Sequence, residues 1–261
     1  MKVAAAQISC AVGDADANLR KIEKVAARAA AAGAAWIVFP EMSDTGYVMS
    51  VICAQAARWS DGPVPRLQAL ARKRSLGIIC GVSERTDECI FNAQVAIDAA
   101  GQIVGRYRKA HLFSPAPIAE HECFAPGGEF VVLPAGAFRF GLSICYDLRF
   151  PEFHRHLACD ERADVLVISS AWPFPRVEHL RILATARAIE NQCYVILSNR
   201  VGTDDGVTFC GSSAIIDPSG AVLASAPAAT EELLFAEITP SAVHAVRERM
   251  PVFEHRRRDL Y

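Results

Sequence analysis

Three polar side chains stand where apolar runs end, and their types suit chemistry: a carboxylate at Glu41, an amine at Lys109 and a thiol at Cys145. Glu41 follows Trp36-Ile-Val-Phe-Pro40, so its carboxylate sits at the lip of a strand in partly apolar surroundings, which raise its pKa toward that of a working base. The same position also suits a helix N-cap or a surface carboxylate. Lys109 ends the run from Gln102, in which alternation places Ile103, Gly105, Tyr107 and Lys109 on one face and Val104, Arg106 and Arg108 on the other. A lysine grouped with the apolar set needs a carboxylate, and Glu41 or Glu120 supplies it. Arg106 and Arg108 read as a solvated face. Cys145 closes residues 138–145 and precedes Tyr146-Asp-Leu-Arg-Phe-Pro151, where Pro151 fits the first position of a helix. A thiol at that junction has the setting of a nucleophile elbow, or else simply packs.

Other combinations select less. His154, His156 and Cys159 could be metal ligands, but positions 154 and 156 face different ways on a helix, so no metal is expected. His111 or His179 could pair with a cysteine, and nothing in the spacing chooses either. No phosphate-binding glycine motif occurs, and Gly127-Gly128 reads as a turn.

The elements that must position these groups alternate along 261 residues, a length for one large domain or two small ones. With 52% hydrophobic and 21% charged residues the chain is globular, and 27 basic against 29 acidic side chains leave no footprint for nucleic acid. Residues 3–8 and 36–39 are strand-like, with a helix between them that Asp14 or Asp16 caps and Gly33 ends. A helix over 63–75, a strand over 76–82 and a hairpin over 91–98 and 102–109 follow, then a Pro-rich loop over 110–128. The alternation repeats: strand 138–144, helix 151–159, strand 165–169, helix 177–191, strand 194–198, a hairpin near Ser219-Gly220, strand 233–238 and helix 241–249. The turn at Asp98-Ala-Ala-Gly101 is echoed at Asp217-Pro-Ser-Gly220, and the entry Ala35-Trp36-Ile-Val by Asp164-Val165-Leu-Val. These echoes suggest two similar halves. No linker separates them, so one α/β domain over residues 1–261 is expected, with two mixed sheets packed together and helices outside.

The first ten residues lack an apolar leader, and the apolar stretch at 25–40 is broken by Arg28, so neither a secretory signal nor a membrane span is expected and the location reads as cytoplasmic. Of nine cysteines without a C-x-x-C pair, most read as small buried side chains of a reducing compartment and not as a disulfide framework.

Taken together, Phe39-Pro-Glu41-Met, Tyr107-Arg-Lys109-Ala-His-Leu-Phe and Gly141-Leu-Ser-Ile-Cys145-Tyr-Asp-Leu-Arg-Phe-Pro-Glu152 resemble the nitrilase superfamily of carbon-nitrogen hydrolases. Ala171-Trp-Pro173, residues 186–192, Asn199-Arg-Val-Gly202 and the closing Arg256-Arg-Arg-Asp-Leu-Tyr261 extend the resemblance over the whole chain. It implies an α-β-β-α sandwich that dimerises, a Glu-Lys-Cys triad and no cofactor. By position, Cys145 is the nucleophile, Glu41 the general base and acid, Lys109 the cation at the tetrahedral intermediate, and Glu120 a second carboxylate orienting Lys109 and substrate. Cys145-Tyr146-Asp147 is similar to the amidase and carbamoylase branches, and the segment around it to the ω-amidase and deaminated-glutathione amidase group. The resemblance thus implies a small amide substrate bearing a carboxylate, with an N-carbamoyl amino acid, a nitrile or an idle scaffold subunit on this fold as the alternatives. Arg149 matches an arginine that binds substrate carboxylate in carbamoyl-amino-acid hydrolases, or it bridges Asp147 or Glu152. Tyr146 supplies a backbone N–H for the oxyanion, and Tyr47, Phe124 and Trp172 shape the acyl pocket or else belong to the core or a dimer surface.

Overall fold

In the computed structural model, which describes residues 1–260, two six-stranded sheets lie face to face. The elements of the first half are β1 (Lys2–Gln7), α1 (Ala15–Ala31), β2 (Trp36–Val38), α2 (Met49–Gln55), α3 (Val64–Arg74), β3 (Gly77–Arg85), β4 (Ile90–Ile97) and β5 (Ile103–Arg108). The second half contains β6 (Val132–Ala135), β7 (Phe138–Ile144), α4 (Pro151–Arg155), β8 (Val165–Ser170), α5 (Val177–Asn191) and β9 (Tyr194–Asn199). It continues with the hairpin β10 (Val201–Asp204) and β11 (Val207–Cys210), then β12 (Ala214–Ile216), β13 (Val222–Ser225), β14 (Glu232–Glu237) and α6 (Pro240–Arg249).

One sheet runs β14-β1-β2-β3-β4-β5, the other β6-β7-β8-β9-β12-β13. In each, an antiparallel edge strand precedes three parallel strands, and two antiparallel strands follow. The halves therefore repeat one topology, as the echoed turns suggest. Those turns are built alike: Asp98 Oδ1 accepts from the amides of Ala100 and Gln102, and Asp217 Oδ1 from those of Ser219 and Ala221. Both end in a glycine at positive φ, +78° at Gly101 and +89° at Gly220, where a Cβ would be strained.

Alternation along the strands sorts side chains into layers. Val3, Ala5, Trp36, Val38 and Ile79 pack against the facing sheet, and Trp36 meets Phe140 with ring centroids 5.7 Å apart. The neighbours of these residues, Ala4, Ala6, Ile37 and Ile78, turn outward onto α1 and α3 through Leu19, Ile22, Leu67 and Leu70. The other sheet is covered by Leu180, Ala184 and Ala188 of α5 and by Phe153 of α4. Each large apolar side chain so buried contributes about 2 kcal/mol. The architecture is the expected α/β four-layer sandwich. Asp14 caps α1, its carboxylate accepting from the Ala17 amide at 2.9 Å.

Several elements differ from expectation. The helix expected over 151–159 is α4 followed by a wider, π-type turn over His156–Asp160. Short α2 has no capping side chain, and edge strand β6 and the β10–β11 hairpin are brief, so none carries a readable period. Within the loop over 110–128, Glu120–Glu122 forms a single helical turn. Most cysteines are free and buried, as expected, but Cys53 of α2 and Cys123, beside that turn, form a disulfide across 70 residues. Only the fold brings them together, and no local spacing announces the pair. The other seven cysteines are free. Arg106 and Arg108 also depart from a plain solvated face, since both pair with the buried carboxylate of Glu84, Arg108 at 2.7 Å. Among the described residues no helix is long and apolar enough to cross a membrane.

Candidate active site

Glu41, Lys109, Glu120 and Cys145 meet between the sheets at the strand ends, each buried. Lys109 Nζ donates to Glu41 Oε1 at 2.8 Å and to Glu120 Oε1 at 2.9 Å, so the lysine has both of the partners that alternation left open. Tyr107, two residues earlier, points inward with it. Glu41 is placed by a turn after β2 that is tied to β3: Ser43 N donates to Gly81 O at 2.8 Å and Gly81 N to Pro40 O at 3.1 Å. Gly81 is required there, because a Cβ would lie 2.5 Å from Glu41 Cα and from Pro40 O.

Four donors besides Lys109 complete the carboxylate cage. Asn92 Nδ2 on β4 donates to Glu41 Oε1 at 2.6 Å and to Glu120 Oε1 at 2.8 Å. Tyr47 Oη donates to Glu120 Oε1 at 2.6 Å, and the Phe113 amide to Glu120 Oε2 at 2.6 Å. Glu41 Oε2 accepts from the Ala171 amide at 2.8 Å. Asn92 was not foreseen, although a polar residue inside the apolar strand Ile90–Ile97 is the signal that could have found it. Tyr47 is itself positioned by the β10–β11 hairpin, where Asp204, paired with Arg200, accepts from its amide at 2.8 Å.

Burial raises the pKa of Glu41 above the ordinary carboxylate range, opposed by the charge of Lys109 and reinforced by Glu120. Burial alone would lower Lys109, but the two carboxylates override it and hold the ammonium protonated. The Cys145 thiol is pushed up by burial and then by the Glu41 charge, while Lys109 pulls it down. A resting thiol that keeps its proton beside a carboxylate of raised pKa is arranged for proton transfer during attack.

Cys145 opens a helical turn directly after β7 with φ +43°, a left-handed conformation that costs a non-glycine residue about 1 kcal/mol or more and here forms a sharp elbow. Asp147 holds that turn: its carboxylate accepts from the Ile144 amide at 2.9 Å, Tyr107 Oη at 2.6 Å and the His111 amide at 3.0 Å, with His111 Nδ1 at 2.8 Å. One carboxylate thus ties the nucleophile turn to the end of β5. The Ser170 hydroxyl and the Ala171 amide lie beside the thiol and lower its pKa against the effect of burial.

Beside Cys145 is a narrow cavity of about 20 Å³ lined by Tyr47, Phe113, Tyr146, Arg149, Trp172 and Arg176, among others. Phe124 stands behind it, packed with Met42, Tyr47 and Ile118. Arg149 meets neither Asp147 nor Glu152 among the described residues. Its guanidinium lies 4.6 Å over the Trp172 ring, with Nη2 3.3 Å from His179 Nδ1. No group of His, Cys, Asp and Glu side chains among the described residues is arranged to hold a metal ion. His154 is instead buried, with Nε2 3.2 Å from Ser143 Oγ and Nδ1 3.3 Å from Phe150 O.

The comparisons with known proteins agree with this chemistry. The carbon-nitrogen hydrolase family profile matches residues 2–248. A 2-oxoglutaramate amidase of Bacillus subtilis is 38% identical over 226 residues, 86% of each chain. The omega-amidase YafV of Escherichia coli K12 is 34% identical over 84% of this chain and 82% of its own. Among solved structures, the E41Q mutant of the amidase of Nesterenkonia sp. AN1, which shows the result of Michael addition of acrylamide at its active-site cysteine, has a TM-score of 0.86 and 28% identity over 97% of this chain and 98% of its own. With these relatives and a buried carboxylate-lysine-cysteine cluster, the chain is an enzyme of cysteine-dependent amide hydrolysis and belongs to the carbon-nitrogen hydrolase family of the nitrilase superfamily.

Proposed function

We propose that the enzyme hydrolyses the terminal amide of a small carboxylate-bearing acid, an ω-amide, releasing ammonia. The observation that carries this reading is Arg149, a guanidinium on the rim of the Cys145 pocket with no carboxylate of its own. A guanidinium fork there suits a substrate carboxylate. The names of the Bacillus and Escherichia relatives point to the same class.

In the proposed cycle Glu41 takes the thiol proton as Cys145 sulfur attacks the amide carbon. The oxyanion is held by Lys109 and the Tyr146 backbone N–H, each such donor being worth roughly 3 to 4 kcal/mol. Glu41 passes its proton to the leaving nitrogen, the C–N bond breaks, ammonia departs and a thioester remains. Water, deprotonated by Glu41, attacks that thioester, and the proton returns to the sulfur as the acid leaves. Glu120 keeps Lys109 charged and aimed throughout. Tyr47 and Trp172 line the acyl pocket, and Phe124 backs Tyr47.

The test is ammonia release from ω-amides and from neutral amides of equal length by wild type and Arg149→Met. Preference for the anionic amides, with a KM raised about 10- to 100-fold in the variant, is expected. A KM raised equally for neutral amides overturns the carboxylate reading. We also propose a cytoplasmic homodimer. Ile182 and Ile189, 63% and 52% exposed one heptad apart on α5, offer an apolar stripe for a second copy.

A further inference from the structure

The pocket rim carries a second guanidinium that the reading above does not use. Arg176, the residue before α5, also lines the pocket, with its guanidinium 5.7 Å from the Phe113 ring centroid. Trp172 joins the two arginines, since its face carries Arg149 and its indole N–H donates to Arg176 O at 2.9 Å. Arg149 also reaches His179 in the first turn of α5, so both cations gather at the positive end of that helix.

Neither arginine has a carboxylate within 4 Å among the described residues, whereas Arg108, Arg187 and Arg200 are each paired. The two also repel, and the charge of Arg176 adds to burial in lowering the Arg149 pKa. The rest of the lining is aromatic or aliphatic apart from the Cys145 thiol, and contains no carboxylate. Glu41 and Glu120, below it, are already engaged by Lys109. The rim is therefore a net positive site with nothing to receive a cation.

We propose that Arg176 is a specificity-determining residue that forms with Arg149 a two-guanidinium clamp on the substrate carboxylate, and that this clamp selects ω-amides of 2-oxo or unsubstituted dicarboxylic acids over those bearing an α-ammonium group. The proposal rests on the ω-amide reading. A carboxylate between the guanidiniums relieves their repulsion and makes charge-assisted hydrogen bonds. An ammonium one carbon away brings a third positive charge into the same space without an acceptor, and a wrong charge juxtaposed in this way is a strong means of rejection.

The experiment compares four amides of matched length: a 2-oxo ω-amide, an unsubstituted ω-amide, a 2-amino ω-amide and a neutral alkyl amide. Each is assayed with wild type, Arg176→Met and Arg176→Lys. In parallel, binding of the product dicarboxylate to Cys145→Ala, with and without Arg176→Met, is measured by calorimetry. In Arg176→Met the anionic-to-neutral ratio of kcat/KM is expected to fall about 10- to 100-fold, mostly through KM, and the discrimination against the 2-amino amide to narrow. Arg176→Lys should restore part of both, and dicarboxylate binding should weaken by a similar factor. An unchanged ratio with unchanged dicarboxylate binding overturns the clamp. So does an equal loss for anionic and neutral amides with unchanged dicarboxylate binding, which marks a structural role at the start of α5. If no amide is turned over while dicarboxylate binding still depends on Arg176, the clamp stands and the ω-amide reading falls.

Discussion

Lys109 is completely enclosed yet charged, because two carboxylates hold its ammonium. Removing one member of such a group leaves the others uncompensated at a cost of about 3 to 5 kcal/mol. Lys109→Met is therefore expected to lower stability by that amount as well as abolish turnover, which a urea titration beside the assay checks. Glu41→Gln keeps the shape of the cage and should fold normally, but lose about 10²- to 10⁴-fold in kcat for want of a base. Since burial raises the Glu41 pKa, the acid limb of kcat/KM should lie above the ordinary carboxylate value, activity rising with pH as Glu41 ionises. A limb at or below that value, from rates across pH 4 to 8, contradicts this assignment. At this scale much was legible: Glu41 and Cys145 end apolar strands, and alternation turned Lys109 inward. Asn92 was not, because its role depends on β4 lying between the strands that lead to Glu41 and Lys109. Arg176 was hidden likewise, as only the fold sets it beside Arg149.

The strands and turns set the positions of these groups. The elbow at Cys145 was readable from a strand that ends one residue before a polar turn and a proline, and the structure gives it φ +43°. The close approach of β3 to the Glu41 turn was not readable, since it depends on the register of Gly81 against Pro40. Gly81→Ala is expected to push Glu41 aside and cut kcat about 100-fold while the protein still folds, as steady-state rates and circular dichroism together would reveal. Helix α4 is anchored on β7 through His154, whose burial lowers its pKa from 6.5 to about 4. The folded state therefore binds that proton less readily than the unfolded chain. Stability present above pH 6.5 is lost as pH falls toward 4, by up to about 3 kcal/mol. Urea midpoints at pH 7 and 4.5 should converge in His154→Gln, and an unchanged gap refutes the assignment.

Across the whole molecule, two copies of one topology face each other, and the site lies where the ends of β2, β5, β7 and β8 converge. The repeat was visible in two short echoes, the Asp-x-x-Gly turns and the entries to β2 and β8, because these positions are constrained by backbone geometry and burial. The disulfide was not visible. It links α2 to the turn bearing Glu120, elements whose neighbourhood no local pattern encodes. The exposed stripe on α5 leads to an expectation at this scale: Ile182→Asp with Ile189→Asp should shift the particle mass measured by light scattering from dimer to monomer, whereas a wild type already monomeric contradicts the proposed assembly. The claim on which everything else rests is that Cys145 carries the acyl group. Its most direct test is to mix the protein with an ω-amide, quench in acid within the first turnovers and measure the mass of the Cys145 peptide. The account predicts an added acyl group on Cys145, lost with ammonia release in Cys145→Ala. Ammonia release that persists in Cys145→Ala, or an acyl group found on another residue, would contradict it.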